Sequence, residues 1–233
     1  MSVGCRHRGT RTEVEKVCEH HFRTQRLPAT DTHDVPVNKP RIEIAGAYYH
    51  LGTRGNNRCD IFEDDDDRLV FILMLNGIAD RYGWSIVAYC LMTTHYHLVM
   101  RIGEAGMARG FCELNGGYAR EFNARHGRRN HLFGRRYWDG MIESEGYLLE
   151  SIRYTVLNPV RAGIAGSPAD WRWSSYRACA GLDHPIACLD LEHALGLFNR
   201  PHVVAARHAF RRFVHAGLVP RQPTKTKWVE IAT

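Results

Sequence analysis

The chain has no Cys-x-x-Cys pair among its seven cysteines, Cys5, Cys18, Cys59, Cys90, Cys112, Cys179 and Cys188. Neither a zinc ribbon nor the disulfide framework of a small secreted domain is therefore indicated. It also has no apolar run of membrane-spanning length and no apolar N-terminal core of the signal-peptide kind, which points to a cytoplasmic protein without a membrane partner. No internal repeat is present, so solenoid and propeller architectures are set aside. Lysine is scarce: the formal charge is +6 with a pI near 9.0, and nearly all of the positive charge is arginine. Arginine pairs phosphate bidentately and stacks on bases, so nucleic acid is the first class of partner to consider, although composition alone does not decide it.

What is present fits one catalytic domain with extensions, or two small domains. Residues 1–40 are polar, rich in His and Arg, and end in a proline-punctuated stretch, which reads as a loosely ordered extension. A domain is expected over 41–165, a mostly helical extension over 166–220 and a loose tail over 221–233. Ile44 to Thr53 has strand composition and is closed by the turn residues Arg54-Gly55-Asn56-Asn57. Glu63 to Tyr82 carries apolar residues at helical spacing and is followed by Gly83, a C-cap glycine. The acidic run Asp64 to Asp67 opens that helix; its carboxylates suit the positive end of the helix dipole and need no cation to explain them. Trp84 to Met92 and His95 to Ile102 form a hairpin around Thr93-Thr94. A second helix is expected over Met107 to Asn123, a strand over Leu132 to Ile142, and a third helix over Glu145 to Asn158, stopped by Pro159. The order is that of a ferredoxin-like βαββαβ fold, α+β in class: an antiparallel sheet with helices on one face, an added helix, and a helical C-terminal extension.

Two positions in this arrangement draw chemistry. Residues two apart on a strand share a face, so His95 and His97 project together and can share a metal, while Tyr96, Leu98 and Met100 face the other way. His-x-His alone is a weak signal. On the third helix Leu149, Ile152 and Val156 form an apolar stripe, whereas Tyr154 and Asn158 stack one turn apart off that stripe, with Glu150 and Tyr147 nearby. Asn158 offers an amide oxygen that can coordinate a cation. Tyr118, by contrast, falls on the apolar stripe of its own helix and reads as core.

Several segments then converge on one family. YHLGTRGNNR (Tyr49 to Arg58), DRYGWSIVAYCLMTTHYHLVM (Asp80 to Met100), LNGGYAREFNARHGRRNHLFGRRY (Leu114 to Tyr137), YLLESIRYTVLNPVRAG (Tyr147 to Gly163) and DWRWSSYRA (Asp170 to Ala178) resemble, in order, the signatures of the REP-associated tyrosine transposases. These are single-tyrosine, HUH-class transposases of the smallest bacterial insertion sequences. The resemblance implies that His95 and His97 are metal ligands, that Asn158 is the third ligand, and that Tyr154 is the nucleophile. It further implies Mg²⁺ or Mn²⁺ as the cofactor and cleavage of single-stranded or hairpin DNA through a 5′-phosphotyrosine, by a monomer or a homodimer. One departure is visible: Thr93-Thr94 stands where the family usually has Pro-Asn.

DNA contacts are expected from Arg54, Asn56, Arg125, Arg128, Arg129, Arg135 and Arg136, with Phe133, Tyr137 and Trp138 interleaved for base stacking. Glu150 is a candidate base for the tyrosine. A zinc hydrolase lacks a third His, Cys or carboxylate at telling spacing, and an RNA-recognition sheet lacks the aromatic-basic signature. A domesticated, non-cleaving hairpin-binding protein is the alternative function.

Overall fold

Alternating side chains on two neighbouring strands decide the architecture. The computed structural model describes residues 43–104, 106–134 and 137–218; the expected N-terminal extension and C-terminal tail lie outside the described residues. In chain order the elements are β1 (Tyr48–Arg54), α1 (Asp65–Tyr82), β2 (Ser85–Leu91), β3 (His95–Arg101), α2 (Met107–Arg125), β4 (Trp138–Ile142) and α3 (Glu145–Arg161). The strands form one antiparallel sheet in the order β2-β3-β1-β4. This is the ferredoxin-like α+β core read from the sequence, with α3 added. On β3, Tyr96 and Leu98 are buried towards α1 and α2: the Tyr96 ring packs on Phe71 of α1 and its hydroxyl donates to Asn115 of α2 at 2.7 Å. The opposite face, carrying His95 and His97, meets α3, which lies across β2 and β3.

Local chemistry fixes the helix ends. Asp64 and Asp67 form a reciprocal capping box at the start of α1, and Gly83 ends it at φ 62°, a left-handed conformation that glycine adopts without steric cost. The first helical residue of α2 follows Gly106, which has no side chain to cap with. Glu43 fills that role, its carboxylate accepting from the backbone N–H of Gly106, Met107 and Ala108 at 2.7–2.9 Å.

Three expectations need correcting. The fourth strand begins at Trp138 rather than Leu132, because Leu132 turns inward to accept from the Asn56 N–H at 2.8 Å and Phe133 makes only an isolated bridge to Gly55. Helix α3 runs through Pro159 to Arg161. A proline forfeits one hydrogen bond to the carbonyl four residues earlier, and here it sits within a turn of the helix end with its ring buried. The buried stripe of α3 also differs from the expected one: Ile152 and Val156 are buried but Leu149 is only partly so, and Leu148, Ser151, Thr155 and Leu157 are buried as well because the helix is covered on two sides.

The second cover comes from the C-terminal segment. Residues 171–176 run along the outer edge of β2, where Leu91 N–H donates to Trp173 O at 2.8 Å and Ser175 N–H to Tyr89 O at 3.0 Å. An edge that would otherwise offer unpaired backbone groups is thereby closed. The Arg68 guanidinium lies 5.5–5.7 Å from the rings of Phe62, Trp171 and Trp173 and ties this segment to α1. Beyond it come α4 (Tyr176–Ala180), α5 (Leu191–Gly196) and α6 (Val203–Ala216), the last two separated at Asn199-Arg200-Pro201, so the mostly helical extension expected over 166–220 consists of short separate helices. Helix α6 packs on α3, with Arg153 of α3 placed 4.6 Å over the Phe213 ring. Among the described residues no helix is long and apolar enough to cross a membrane.

Candidate active site

The register between β1 and β3 pairs Gly52 with His97 and Arg54 with His95. Paired residues of an antiparallel ladder point to the same side, so His50, Gly52 and Arg54 of β1 join His95 and His97 on the face that α3 covers. The His95 and His97 ring centroids are 5.1 Å apart, and His50 lies 5.4 Å from His97. From α3, the Tyr154 ring comes within 5.5 Å of His97 and 5.7 Å of His50, edge-on to both. One turn later Asn158, itself buried, donates through Nδ2 to His97 Nε2 at 3.2 Å. Trp138 of β4 closes the cluster, its indole set against His50 and His97 at 4.8 and 5.5 Å. Gly52 makes room for it: a Cβ there would stand 2.8 Å from the indole and 2.5 Å from the Tyr96 carbonyl oxygen.

Burial shapes the electrostatics. It holds the His50 imidazole down to about 4; it does the same for His95, with the nearby Arg54 charge adding to the effect and a hydrogen bond to Asn158 opposing it. His97 is pushed well below the usual histidine range by burial, then by its two histidine neighbours and Arg54. All three rings are neutral at physiological pH and keep lone pairs for a metal or a proton. The buried Nδ1 of His97 and Nε2 of His50 have no hydrogen-bond partner among the described residues. Each such atom costs about 1–3 kcal/mol of stability, a cost that points to a site kept for use rather than for packing.

A consequence for stability follows. An unfolded histidine titrates near 6.5, whereas native His50 and His95 resist protonation until about pH 4. Below pH 6.5 the unfolded chain therefore takes up protons that the folded chain refuses. Stability is fully present above that pH and is lost as the pH falls towards 4. At about 1.4 kcal/mol per tenfold difference in proton affinity, each ring contributes on the order of 3 kcal/mol of acid destabilisation in metal-free protein. Urea unfolding in EDTA at pH 7.5 and pH 5.0 checks this: the midpoint should drop at pH 5.0, and an unchanged midpoint contradicts it.

The donor set fits a divalent cation. His95, His97 and Asn158 offer two neutral imidazoles and an amide, while among the described residues no three His, Cys, Asp or Glu side chains are arranged to hold a metal. Any centre here therefore relies on the amide as its third protein donor. The hairpin turn that departs from the usual Pro-Asn takes part directly: Thr94 Oγ1 hydrogen-bonds His95 Nδ1 at 3.0 Å. That contact fixes the ring orientation and leaves Nε2 for a ligand. Thr94→Ala should weaken Mn²⁺ binding by about 10-fold or more, the usual effect of losing such a partner; calorimetric titration showing wild-type affinity would refute the assignment.

The remaining expected residues fall into separate groups. Arg54 and Asn56 sit at the end of β1 beside His95, where Gly134 N–H donates to Arg54 O at 3.1 Å and brings the basic loop alongside. Arg125 is engaged by Asp64, Asp66 and Asp67 at 2.6–3.2 Å, and Arg128 reaches Glu63 at 3.8 Å. Phosphate would compete with carboxylates at both. Arg129 is exposed, and Arg135 and Arg136 lie outside the described residues. Of the three interleaved aromatics, Tyr137 is buried against Phe111 and Phe133 packs towards Tyr118, whereas Trp138 is 42 % exposed. Glu150 is bound by Arg153 on its own helix. His50 and Arg161 were not singled out from the sequence. His50 could have been found from its two-residue spacing to Gly52 and Arg54, and Arg161 from its seven-residue spacing to Tyr154.

Comparison with known proteins agrees with this fold. Residues 43–156 match the family model described as "Transposase IS200 like". A Haemophilus influenzae protein named as a REP-associated tyrosine transposase is 27 % identical over 108 residues, 42 % of this chain and 61 % of that protein. The chain thus matches less than two thirds of that relative's length. The solved structure of a REP-associated tyrosine transposase bound to a REP hairpin superposes with a TM-score of 0.51 at 18 % identity, covering 64 % of this chain and 89 % of that one. At that identity the likeness speaks to the fold. Residues 43–156 are thus similar to the IS200-like transposases, and the resemblance to the REP-associated tyrosine transposases is borne out in sequence and in fold.

Proposed function

We propose that the protein is a metal-dependent endonuclease and strand transferase that cuts single-stranded DNA beside a hairpin and carries the 5′ end on Tyr154. The observation that supports this most is the convergence of Tyr154, His97 and Asn158, with a tyrosine ring 5.5 Å from one imidazole and an amide 3.2 Å from the same ring. His95, His97 and Asn158 would hold Mg²⁺ or Mn²⁺, which when bound supplies Lewis-acid polarisation of a phosphate oxygen.

The chain's own residues do the rest. Tyr154, fixed by α3 on one side and by the His50 and His97 edges on the other, presents its phenol oxygen to the phosphorus. A new Oη–P bond forms as the P–O3′ bond breaks; the electron pair goes to O3′, which gains a proton as the tyrosine gives one up. Nothing is consumed, and the freed 3′-hydroxyl can later attack the adduct to rejoin strands. An ordinary tyrosine, with a pKa near 10, is ionised to only about one part in a thousand at neutral pH, so its proton must be drawn off locally. His50 is the nearest imidazole besides His97, 5.7 Å away by ring centroid, but the burial that holds it down to about 4 makes it a weak acceptor for that proton. Glu150, held by Arg153, is poorly placed to accept it. Trp138, exposed beside the histidines, offers a stacking surface for an unpaired base.

The test uses a labelled hairpin oligonucleotide with single-stranded flanks, taken from DNA around the protein's own gene, in Mn²⁺, in Mg²⁺ and in EDTA. A denaturation-resistant protein–DNA adduct that requires metal supports the reading. Hairpin binding without any adduct replaces it with the non-cleaving binder.

A further inference from the structure

Two arginines lie on the catalytic helix, and only one of them is bonded to a carboxylate. Arg153 is bonded to Glu150 and lies over Phe213. On the far side of the sheet Arg125 is held by the acidic run of α1. Arg161 makes no hydrogen bond or close ion pair among the described residues, feeling the Glu150 carboxylate only at longer range, and its guanidinium carbon stands 5.3 Å from the centre of the Tyr154 ring. The placement follows from the helix: residues 154, 158 and 161 are spaced four and three apart and share one face. Asn158 sits between the tyrosine and the arginine, and Arg161 exists in this position only because α3 continues past Pro159.

The ring of Tyr154 is therefore bounded by His50 and His97 on one side and by a cation on another. A phosphate brought to the phenol oxygen must enter next to five unused N–H donors. Guanidinium presents two of these in a planar fork that matches two phosphate oxygens. Partial desolvation lowers the affinity of Arg161 for its own proton, with Tyr154 and Glu150 counteracting this and the Arg153 charge adding to it.

We infer that Arg161 is a catalytic residue of this site: its guanidinium grips the non-bridging oxygens of the scissile phosphate, steadies the Tyr154 ring, and stabilises the negative charge that builds up as Oη attacks. This rests on the proposed nuclease reading and assigns it a residue outside the metal-ligand set. Oη–P bond formation and P–O3′ cleavage proceed as above, and Arg161 keeps its protons throughout.

The experiment measures single-turnover adduct formation on the hairpin oligonucleotide for wild type, Arg161→Ala and Arg161→Lys, with hairpin affinity, Mn²⁺ affinity and thermal melting measured on the same proteins. Arg161→Ala should lower the adduct rate about 100-fold or more, the range seen when a positioned charge-stabilising donor is removed. Hairpin affinity should change by less than about 3-fold, since one phosphate contact among many contributes little to binding. Mn²⁺ affinity should be unchanged. Arg161→Lys should recover only part of the rate, because it restores the charge but not the fork. Added guanidinium ion at millimolar concentration should speed Arg161→Ala and leave wild type alone. An Arg161→Ala variant that melts normally and forms adduct at the wild-type rate overturns the assignment. So does a rate loss matched by an equal loss of hairpin affinity, or one that guanidinium and lysine both fail to relieve. If wild type itself forms no adduct, the nuclease reading fails and this inference with it, an outcome distinct from a wild type that reacts and an Arg161→Ala variant that reacts equally well.

Discussion

Tyr154→Phe is expected to abolish the covalent protein–DNA adduct, with a rate loss of roughly 1,000-fold or more, as for other enzymes deprived of their nucleophile. The substitution removes one oxygen and nothing else that the packing uses. The ring contacts to His50 and His97 remain, as does the Arg161 guanidinium over the ring face. Helix α3 keeps its cap at Ser144, whose hydroxyl accepts from the Tyr147 N–H at 3.2 Å. Melting temperature and hairpin affinity should therefore stay close to wild type while chemistry stops. The natural competitor is Tyr147, two turns earlier on the same helix face. Its hydroxyl reaches towards Gly140 on β4, opposite His50 in the ladder and away from the His95 end of the site. Tyr147→Phe should leave adduct formation essentially intact.

His97→Ala is the second large effect. His97 is the hub of the site: it accepts from Asn158, and its ring touches those of His50, His95, Trp138 and Tyr154. Its removal deletes one donor outright and frees the Asn158 amide to turn away. Loss of an outer partner of a metal ligand already costs about 10–100-fold in affinity, so Mn²⁺ affinity should fall by about 100-fold or more, and adduct formation with it. Stability should respond in the opposite direction at low pH. The variant no longer carries a buried ring that refuses protons, so its unfolding midpoint should depend less on pH between 7.5 and 5.0 than that of wild type. Titration calorimetry and urea unfolding read the two effects separately. Wild-type Mn²⁺ affinity in His97→Ala would remove His97 from the ligand set.

Local periodicity made part of this legible in the sequence. The two-residue repeat of a strand placed His95 and His97 on one face, and the four-residue repeat of a helix placed Tyr154 with Asn158. The order of strands and helices, each with its own turn or cap residues, led to the sheet topology. What stayed hidden depends on contacts between residues far apart in the chain. His50 joins the site only once β1 is set against β3 in a register that puts Gly52 opposite His97. The engagement of Arg125 by Asp64 and Asp67 spans about sixty residues, so a loop that reads as open and basic is partly neutralised by the start of another helix. Arg161 was concealed differently: proline is a strong local stop signal, and only the burial of Pro159 in the packed fold carries the helix one further half-turn. The short fourth strand has a similar origin, since Leu132 and Phe133 have strand-forming side chains but are drawn to the loop after β1.

If Tyr154 is the attachment point for DNA, the bond can be located on the protein. Protease digestion and tandem mass spectrometry of wild-type protein trapped on the hairpin oligonucleotide in Mn²⁺ would locate the modified residue directly. The expected result is a peptide carrying a 5′-phosphonucleotide on Tyr154 that disappears in EDTA. A nucleotide found on Tyr147, on a serine or on any other side chain would contradict it.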